Sequence, residues 1–163
     1  MSDIGYRRLK KDDLQAVRQV ASESWKHAYR NIFDDSYIKE WVEANYSIKT
    51  LSIILSESET GKAFFYVAES EGRVIGFAHI GDRGNGWELL RIYLLPEYMG
   101  GGIGTRFIQL GEHFLITKKA SKYVAFVHKD NFPAIGFYKR NDFVREPELD
   151  KKEINEQCWS KKL

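Results

Sequence analysis

Leu89-Leu90-Arg91-Ile92-Tyr93-Leu94-Leu95-Pro96-Glu97-Tyr98-Met99-Gly100-Gly101-Gly102-Ile103-Gly104-Thr105-Arg106 is the stretch on which the reading of this chain turns. It starts inside an apolar strand, Trp87 to Leu95, which Pro96 stops because proline has no N–H to give a sheet ladder. Beyond the glycine loop the period changes. Ile103, Phe107, Leu110 and Phe114 recur at helical spacing, so a helix is expected from Ile103 to Lys119. A glycine-rich turn feeding a helix N-terminus presents unpaired backbone N–H groups beside a partial positive charge. That is an anion cradle, and pyrophosphate is the obvious anion; a plain flexible turn is the competing reading. A Walker loop would need Gly-Lys-Ser/Thr, which Gly104-Thr105-Arg106 does not supply. The dinucleotide fingerprint lacks its third glycine and a following parallel strand with an acid.

Upstream of this stretch, Glu71-Gly72 separates two strand-like runs, Lys62 to Ala68 and Arg73 to Ile80, which read as a hairpin. Asp82, Gly84, Asn85 and Gly86 make the next turn. The N-terminal third reads as a short strand, Ile4 to Leu9, followed by helices. The first opens at Asp12 and Asp13, whose charge suits a helix N-terminus, and spaces Leu14, Val17, Ala21 and Trp25 on one face. The second starts near Asp35 and Ser36 with Ile38, Trp41 and Val42 on adjacent turns, and the third carries Ile48, Leu51 and Leu55. Downstream, Tyr123 to His128 reads as a strand and Asn131 to Arg140 as a helix with Pro133 in its first turn. Phe143 and the segment around Cys158 and Trp159 close the chain with strands. The expected order is β, helices, β-β-β, α, β, α, β, β.

The chain has 163 residues, 43% hydrophobic and 29% charged, with 25 Lys+Arg against 23 Asp+Glu. That length suits one domain over 1–163, large enough to hold a core without disulfides or a structural metal. Cys158 is the only cysteine, which excludes an internal disulfide and a cysteine-based zinc site and fits a reducing, cytoplasmic setting. The histidines show no metal-ligand spacing, so no metal is expected. No apolar run approaches the ~20 residues needed to span a bilayer, and the charges are interleaved, so neither membrane nor nucleic acid is nominated as partner.

The stretch from Leu89 to Arg106 resembles the central motif of the GCN5-related N-acetyltransferase family: a strand, a Gln/Arg-x-x-Gly-x-Gly/Ala loop and a long helix. Gly102-Ile103-Gly104 matches the Gly-x-Gly, while Met99 stands where Gln or Arg is usual. Asn131-Phe132-Pro133-Ala134-Ile135-Gly136-Phe137-Tyr138-Lys139-Arg140-Asn141-Asp142-Phe143 resembles the family's Asn-x-x-Ala-x-x-x-Tyr-x-x-x-Gly-Phe, with Asp142 replacing the glycine. Glu23-Ser24-Trp25-Lys26-His27-Ala28-Tyr29 is similar to the Trp-x-x-Ala-Tyr of many members' first helix. The resemblance implies an α/β (α+β) fold, with a mixed, mostly antiparallel central sheet flanked by helices. It also implies acetyl-coenzyme A as cosubstrate, transfer to an amine and, as in many members, a homodimer.

Residue by residue, the resemblance implies that Gly101, Gly102, Ile103, Gly104, Thr105 and Arg106 hold the pyrophosphate through backbone N–H groups. Tyr93, Leu94 and Leu95 would pair their backbone with the pantetheine arm, and a bulge there would aim the Leu94 N–H at the thioester oxygen. Asn131 would hydrogen-bond the pantetheine, with a helix cap as its bland alternative. Tyr138 would be the general acid, since a phenol of pKa near 10 can protonate a departing thiolate; a core aromatic is the other reading.

A protonated alkylamine must lose a proton before attack, and Glu88, set on the alternate-residue face with Leu90 and Ile92, is the leading base. A water relay and His79 are the alternatives. The first helix and the strand Leu90 to Leu94 look most like the PaiA-like microbial polyamine N-acetyltransferases. Trp25, Tyr29 and Glu88 would then bind the amine, and Glu23, Asp34, Asp35, Glu40 and Glu43 would attract a polycation. A protein amine or another small amine, and a non-catalytic acyl-coenzyme A binder, are the competing functions. An RNA-binding strand at Arg73 to His79 is a distant third.

Overall fold

β1 (Gly5–Arg8) lies at the edge of the sheet, and a 3-10 turn over Lys11–Asp13 leads from it into α1 (Leu14–Tyr29) in the computed structural model, which describes residues 2–163. Arg7 locks this entry, bonding Asp13 at 2.8 Å and Glu69 of the neighbouring strand at 3.0 Å. α2 (Asp35–Asn45) and α3 (Ile48–Glu59) follow, each with the N-cap its sequence offers. The Asp34 carboxylate accepts from Tyr37 N, and the Ser47 hydroxyl accepts from Thr50 N.

β2 (Ala63–Ser70), β3 (Arg73–Asp82) and β4 (Trp87–Leu94) form an antiparallel meander. After the glycine loop come α4 (Ile103–Thr117), β5 (Lys122–His128), α5 (Phe132–Arg140), β6 (Val144–Arg145) and β7 (Glu156–Lys162). The sheet runs in the order β1-β2-β3-β4-β5-β7-β6, with β4 and β5 its one parallel pair. The C-terminal hairpin thus inserts β7 beside β5 and leaves β6 outermost. Phe143 is a core residue at 3% exposure just before β6 rather than part of a strand.

The two faces of the sheet carry different layers. Phe65 and Phe77 stack on each other and are fully buried beneath α1–α3, where Tyr46 meets Phe77 edge-on. Burying side chains of this size stabilises the fold by about 1.5–3 kcal/mol each. On the other face, α4 packs Phe107 against Tyr6 and Phe114 against Phe64, and α5 meets the sheet through Tyr138, Phe143 and Tyr123. No helix among the described residues is long and apolar enough to cross a membrane.

Two irregularities in β4 position the site. The first is a bulge. His79 pairs with Arg91 but Ile80 pairs with Leu89, so Leu90 is the extra residue. The second is a splay: β4 pairs with β5 only at Trp87, Glu88 and Leu89, while β5 stays paired with β7 along its whole length. Beyond Leu89 the sheet opens into a gap.

Candidate active site at the sheet opening

The gap has polar edges because one side of β4 has lost its partner strand. Leu95 N–H donates to Ile75 O at 2.9 Å, which turns the backbone of Leu95, and by alternation that of Tyr93, toward β3. Ile92 and Leu94 therefore direct their backbone groups into the gap. Of the three residues expected to meet a pantetheine arm, only Leu94 offers its N–H there, and its carbonyl is already held by the Ser24 hydroxyl at 2.7 Å. Ile92, which the sequence reading passed over, offers a second N–H. The bulge expected at Leu94 lies at Leu90 instead.

That bulge also decides which side chains share a face. Without it, strict alternation would group Glu88 with Leu90 and Ile92. The extra residue shifts the register, so Glu88 stands opposite Gly81 and on the same face as Arg91 and Tyr93, while Ile92 points to the α4 side.

The glycine loop leaves backbone N–H groups free at a helix N-terminus. Gly102 is the α4 N-cap with φ +85°, a left-handed conformation that glycine adopts without cost. The first bond of the helix is Arg106 N–H to Gly102 O at 3.0 Å, leaving the N–H groups of Ile103, Gly104 and Thr105 free at the positive end of a long helix. Gly104 is required for a different reason: a Cβ there would lie 2.8 Å from Phe137 Cε2 on α5. Met99 is exposed and its backbone carries the chain into the loop, so the departure from Gln or Arg leaves the cradle's N–H groups in place.

Around the opening stand Tyr138 of α5, Tyr29 of α1, Tyr93 and Glu88 of β4, and Asn131. Tyr138 is 6% exposed, and among the described residues nothing hydrogen-bonds its hydroxyl. Burial pushes its phenol well above the usual range, reinforced by Tyr29 and Glu88, so it holds its proton. Asn131 is a helix cap whose amide nitrogen also meets a tyrosine. Its Oδ1 caps α5 by accepting from Ala134 N at 3.3 Å, while Nδ2 reaches the Tyr29 hydroxyl at 3.4 Å. Trp25 is buried, stacked on Trp41 at 3.9 Å and leaning on Tyr29 at 4.2 Å, so it braces Tyr29 from behind.

Glu88 is half-buried, and burial raises its carboxyl pKa against the opposing pull of Lys151 and Arg83. Glu156, at the start of β7 and opposite His128, has its pKa raised by burial, with Lys151 opposing and Glu88 adding to the rise. Glu156 therefore senses Glu88 across β5. Sequence reasoning missed Glu156, since only the insertion of β7 beside β5 brings it near. The acids expected to draw a polycation are otherwise engaged: Asp34 caps α2 and Glu23 accepts from Gln19 at 2.9 Å. Asp35, Glu40 and Glu43 are solvent-exposed helix residues.

His79 is a poor base. It is 3% exposed, its Nδ1 is held by Arg91 at 2.8 Å, and burial together with Arg91 and Arg83 lowers its pKa to about 3. Cys158 is fully buried and its thiol is pushed up to about 11 by burial, Glu146 and Asp150, which leaves it unreactive at neutral pH.

The sequence pattern of the acetyltransferase (GNAT) family matches residues 24–143. A spermidine N(1)-acetyltransferase of Thermoplasma acidophilum is 33% identical over 144 residues, covering 88% of this chain and 89% of that protein. An uncharacterised N-acetyltransferase of Archaeoglobus fulgidus is 29% identical over 149 residues, covering 87% and 93%. Among solved structures, the PaiA N-acetyltransferase of Thermoplasma acidophilum in complex with coenzyme A superposes with a TM-score of 0.93 at 31% identity, covering 99% of each chain.

Proposed function

The chain belongs to the acetyltransferase (GNAT) family and is an acetyl-coenzyme A-dependent N-acetyltransferase; from that premise we propose that its acceptor is a polyamine and that Tyr138 and Glu88 carry the proton transfers. The observation that supports the acceptor most is the 33% identity, across 88% of the chain, to a spermidine N(1)-acetyltransferase. Glu88 and Glu156, two carboxyls whose pKa values burial raises, suit a ligand bearing more than one ammonium group.

The residues present fit acetyl-coenzyme A. The N–H groups of Ile103, Gly104 and Thr105, with Gly101 and Gly102 before them and Arg106 beside them, form the pyrophosphate cradle. Ile92 and Leu94 offer N–H groups where a pantetheine arm would replace the missing strand partner, and Asn131 Nδ2 faces the same region. The cosubstrate supplies a thioester carbonyl open to attack by an amine.

Glu88 accepts a proton from the acceptor ammonium, directly or through one water, and its raised pKa makes it a stronger base than an ordinary carboxylate. The freed amine attacks the carbonyl carbon. A backbone N–H at the gap, from Ile92 or Leu94, receives the negative charge that develops on the carbonyl oxygen, and one such fixed donor is worth about 3 kcal/mol of barrier. Tyr138 then protonates the departing thiolate sulfur, and the phenolate left behind takes up the second proton of the attacking nitrogen, so that a neutral amide and a free thiol result. The Tyr138 hydroxyl, carried on a buried ring and free of protein partners, is available for that task.

A release-of-thiol assay across acceptors tests the reading. Spermidine and spermine should be used with higher kcat/KM than monoamines, free amino acids or peptide N-termini. Equal use of all amines would overturn the polyamine assignment, and binding of acetyl-coenzyme A with no thiol released would favour a non-catalytic binder.

A further inference from the structure

The strand that borders the gap already carries an ammonium group on its face, and that group is the protein's own. Val124, Phe126 and His128 of β5 alternate onto one face of the sheet. Glu88 stands opposite Val124 and Glu156 opposite His128, so both carboxyl side chains rise from this same face, with Phe126 midway between them. The pairing of β4 with β5 ends at Leu89 and Ala125, which makes Phe126 the first β5 residue to border the gap.

Lys151 covers the Phe126 ring. Its Nζ stands 3.8 Å from the ring centroid, in contact, whereas the other five cation–ring pairs among the described residues lie 5.2–5.9 Å apart. The main chain holds the lysine there. Lys151 N–H donates to Glu156 O at 2.9 Å and Glu156 N–H donates to Lys151 O at 3.1 Å, a two-way antiparallel bridge that sets both side chains on one face.

Neither carboxylate clamps this ammonium, for among the described residues Lys151 makes no ion pair. Its charge still reaches both, opposing the rise that burial gives the pKa of Glu88 and of Glu156. An aromatic face with acids to either side is a general receptor for organic cations, because the ring quadrupole is negative over the face. The lysine keeps its place by a single such contact. Its backbone is fixed but its four-carbon stem is flexible, so the ring can be vacated with no movement of the main chain. Phe126, Glu88 and Glu156 are each half-buried, so the spot opens to solvent when the lysine swings away.

We propose that the face of Phe126 between Glu88 and Glu156 is the subsite for the acceptor's second ammonium group, and that the Lys151 ammonium fills it until the acceptor displaces it. The inference rests on the polyamine reading above and adds the residues that select a polyamine over a monoamine. With the reacting amine in the gap, the ring lies about one strand spacing, ~5 Å, to the side, a reach that a short methylene chain spans. Phe126 and Glu156 reward a second positive charge there, and Lys151 competes with it. A monoamine leaves the lysine where it is.

The test compares spermidine with butylamine. Thiol release is measured for wild type, Phe126→Leu, Lys151→Met and the double variant, and the ratio of kcat/KM for the two acceptors is read. Wild type should favour spermidine. Phe126→Leu, which keeps an apolar side chain, should lower the ratio about 2–30-fold, as loss of a cation–π contact does, and through KM rather than kcat. Lys151→Met should raise the ratio, and should raise it less in the Phe126→Leu background, where the lysine has no ring to occupy. In the coenzyme A complex, the Lys151 side-chain methylene protons should show an upfield ring-current shift that spermidine abolishes and butylamine does not.

A wild type without preference for spermidine overturns the polyamine reading and this inference with it. A preference that Phe126→Leu leaves intact overturns this inference alone. So does a gain from Lys151→Met of equal size in both backgrounds, which would be charge repulsion and nothing more. Should Phe126→Leu fail to fold, Lys151 resonances unmoved at saturating spermidine in the wild-type protein overturn it as well.

Discussion

Gly104→Ala should destabilise this protein, although alanine is the better helix former, and the sign should reverse when Phe137 is shortened. Gly104 lies in the first turn of α4, and an added Cβ would stand 2.8 Å from Phe137 Cε2 and 3.1 Å from Cζ. Forcing a methyl group into such a contact costs about 1–3 kcal/mol, whereas replacing glycine in a helix returns at most about 1 kcal/mol. The net is a loss of about 0–2 kcal/mol. In a Phe137→Ala background the clash is gone, so the same substitution should stabilise by up to about 1 kcal/mol, giving a coupling of about 1–3 kcal/mol between the two sites. Urea unfolding of the four proteins, followed by tryptophan fluorescence, reads this as a midpoint shift at constant slope. If Gly104→Ala raised the midpoint equally in both backgrounds, the close approach of α4 to α5 would not be the reason for glycine here. Because Phe137 adjoins Tyr138 on α5, the strained variant should also turn over more slowly, as displacing a catalytic group by about 1 Å can cost 100-fold.

Tyr138→Phe removes a hydroxyl that no protein group holds, so stability and coenzyme A affinity should be unchanged while kcat falls by about 10²–10⁴-fold; turnover at the wild-type rate would exclude the acid role. Glu88→Gln should slow transfer yet stabilise the fold at neutral pH. The Glu88 pKa is raised above its unfolded value near 4.5, so the wild-type carboxyl costs stability as pH rises through the folded value, and the variant should lack that decline in a pH series of unfolding midpoints. Asp150 behaves oppositely. Arg145 at 2.6 and 2.8 Å and the Cys158 N–H at 2.8 Å hold its carboxyl down at about 2. Its contribution is therefore complete above the unfolded value of 3.8 and lost as pH falls toward 2. Asp150→Asn should be less stable than wild type at neutral pH and equal to it in strong acid, and a gap that persists there would contradict the pairing.

Much of the fold was legible because its signals are local. The switch from period two to helical spacing after Gly104, the hairpin turn at Glu71-Gly72, and the cap at Asn131 are each written within a few residues. Elements placed by these signals match the structure to within a few residues at their ends; the helix after the glycine loop stops at Thr117, and the first helix begins as a 3-10 turn. The short strand β6 was misplaced onto Phe143, since a two-residue strand has no periodicity to read.

The site was legible only in part. The chain by itself determined the glycine loop and the helix behind it, because left-handed glycines and free helical N–H groups follow from sequence and backbone geometry alone. It also placed Tyr138 and Asn131 on one short helix. Only the tertiary structure decided that Leu90 bulges, that β5 leaves β4 after Leu89, and that β7 inserts beside β5. Those three facts move Glu88 onto the face of Arg91 and Tyr93, turn Ile92 and Leu94 rather than Tyr93 and Leu95 toward the gap, and let Glu156 feel the charge of Glu88. The physical reason is that strand pairing joins residues far apart in the chain, and a single extra residue in a ladder exchanges every later side chain between its two faces.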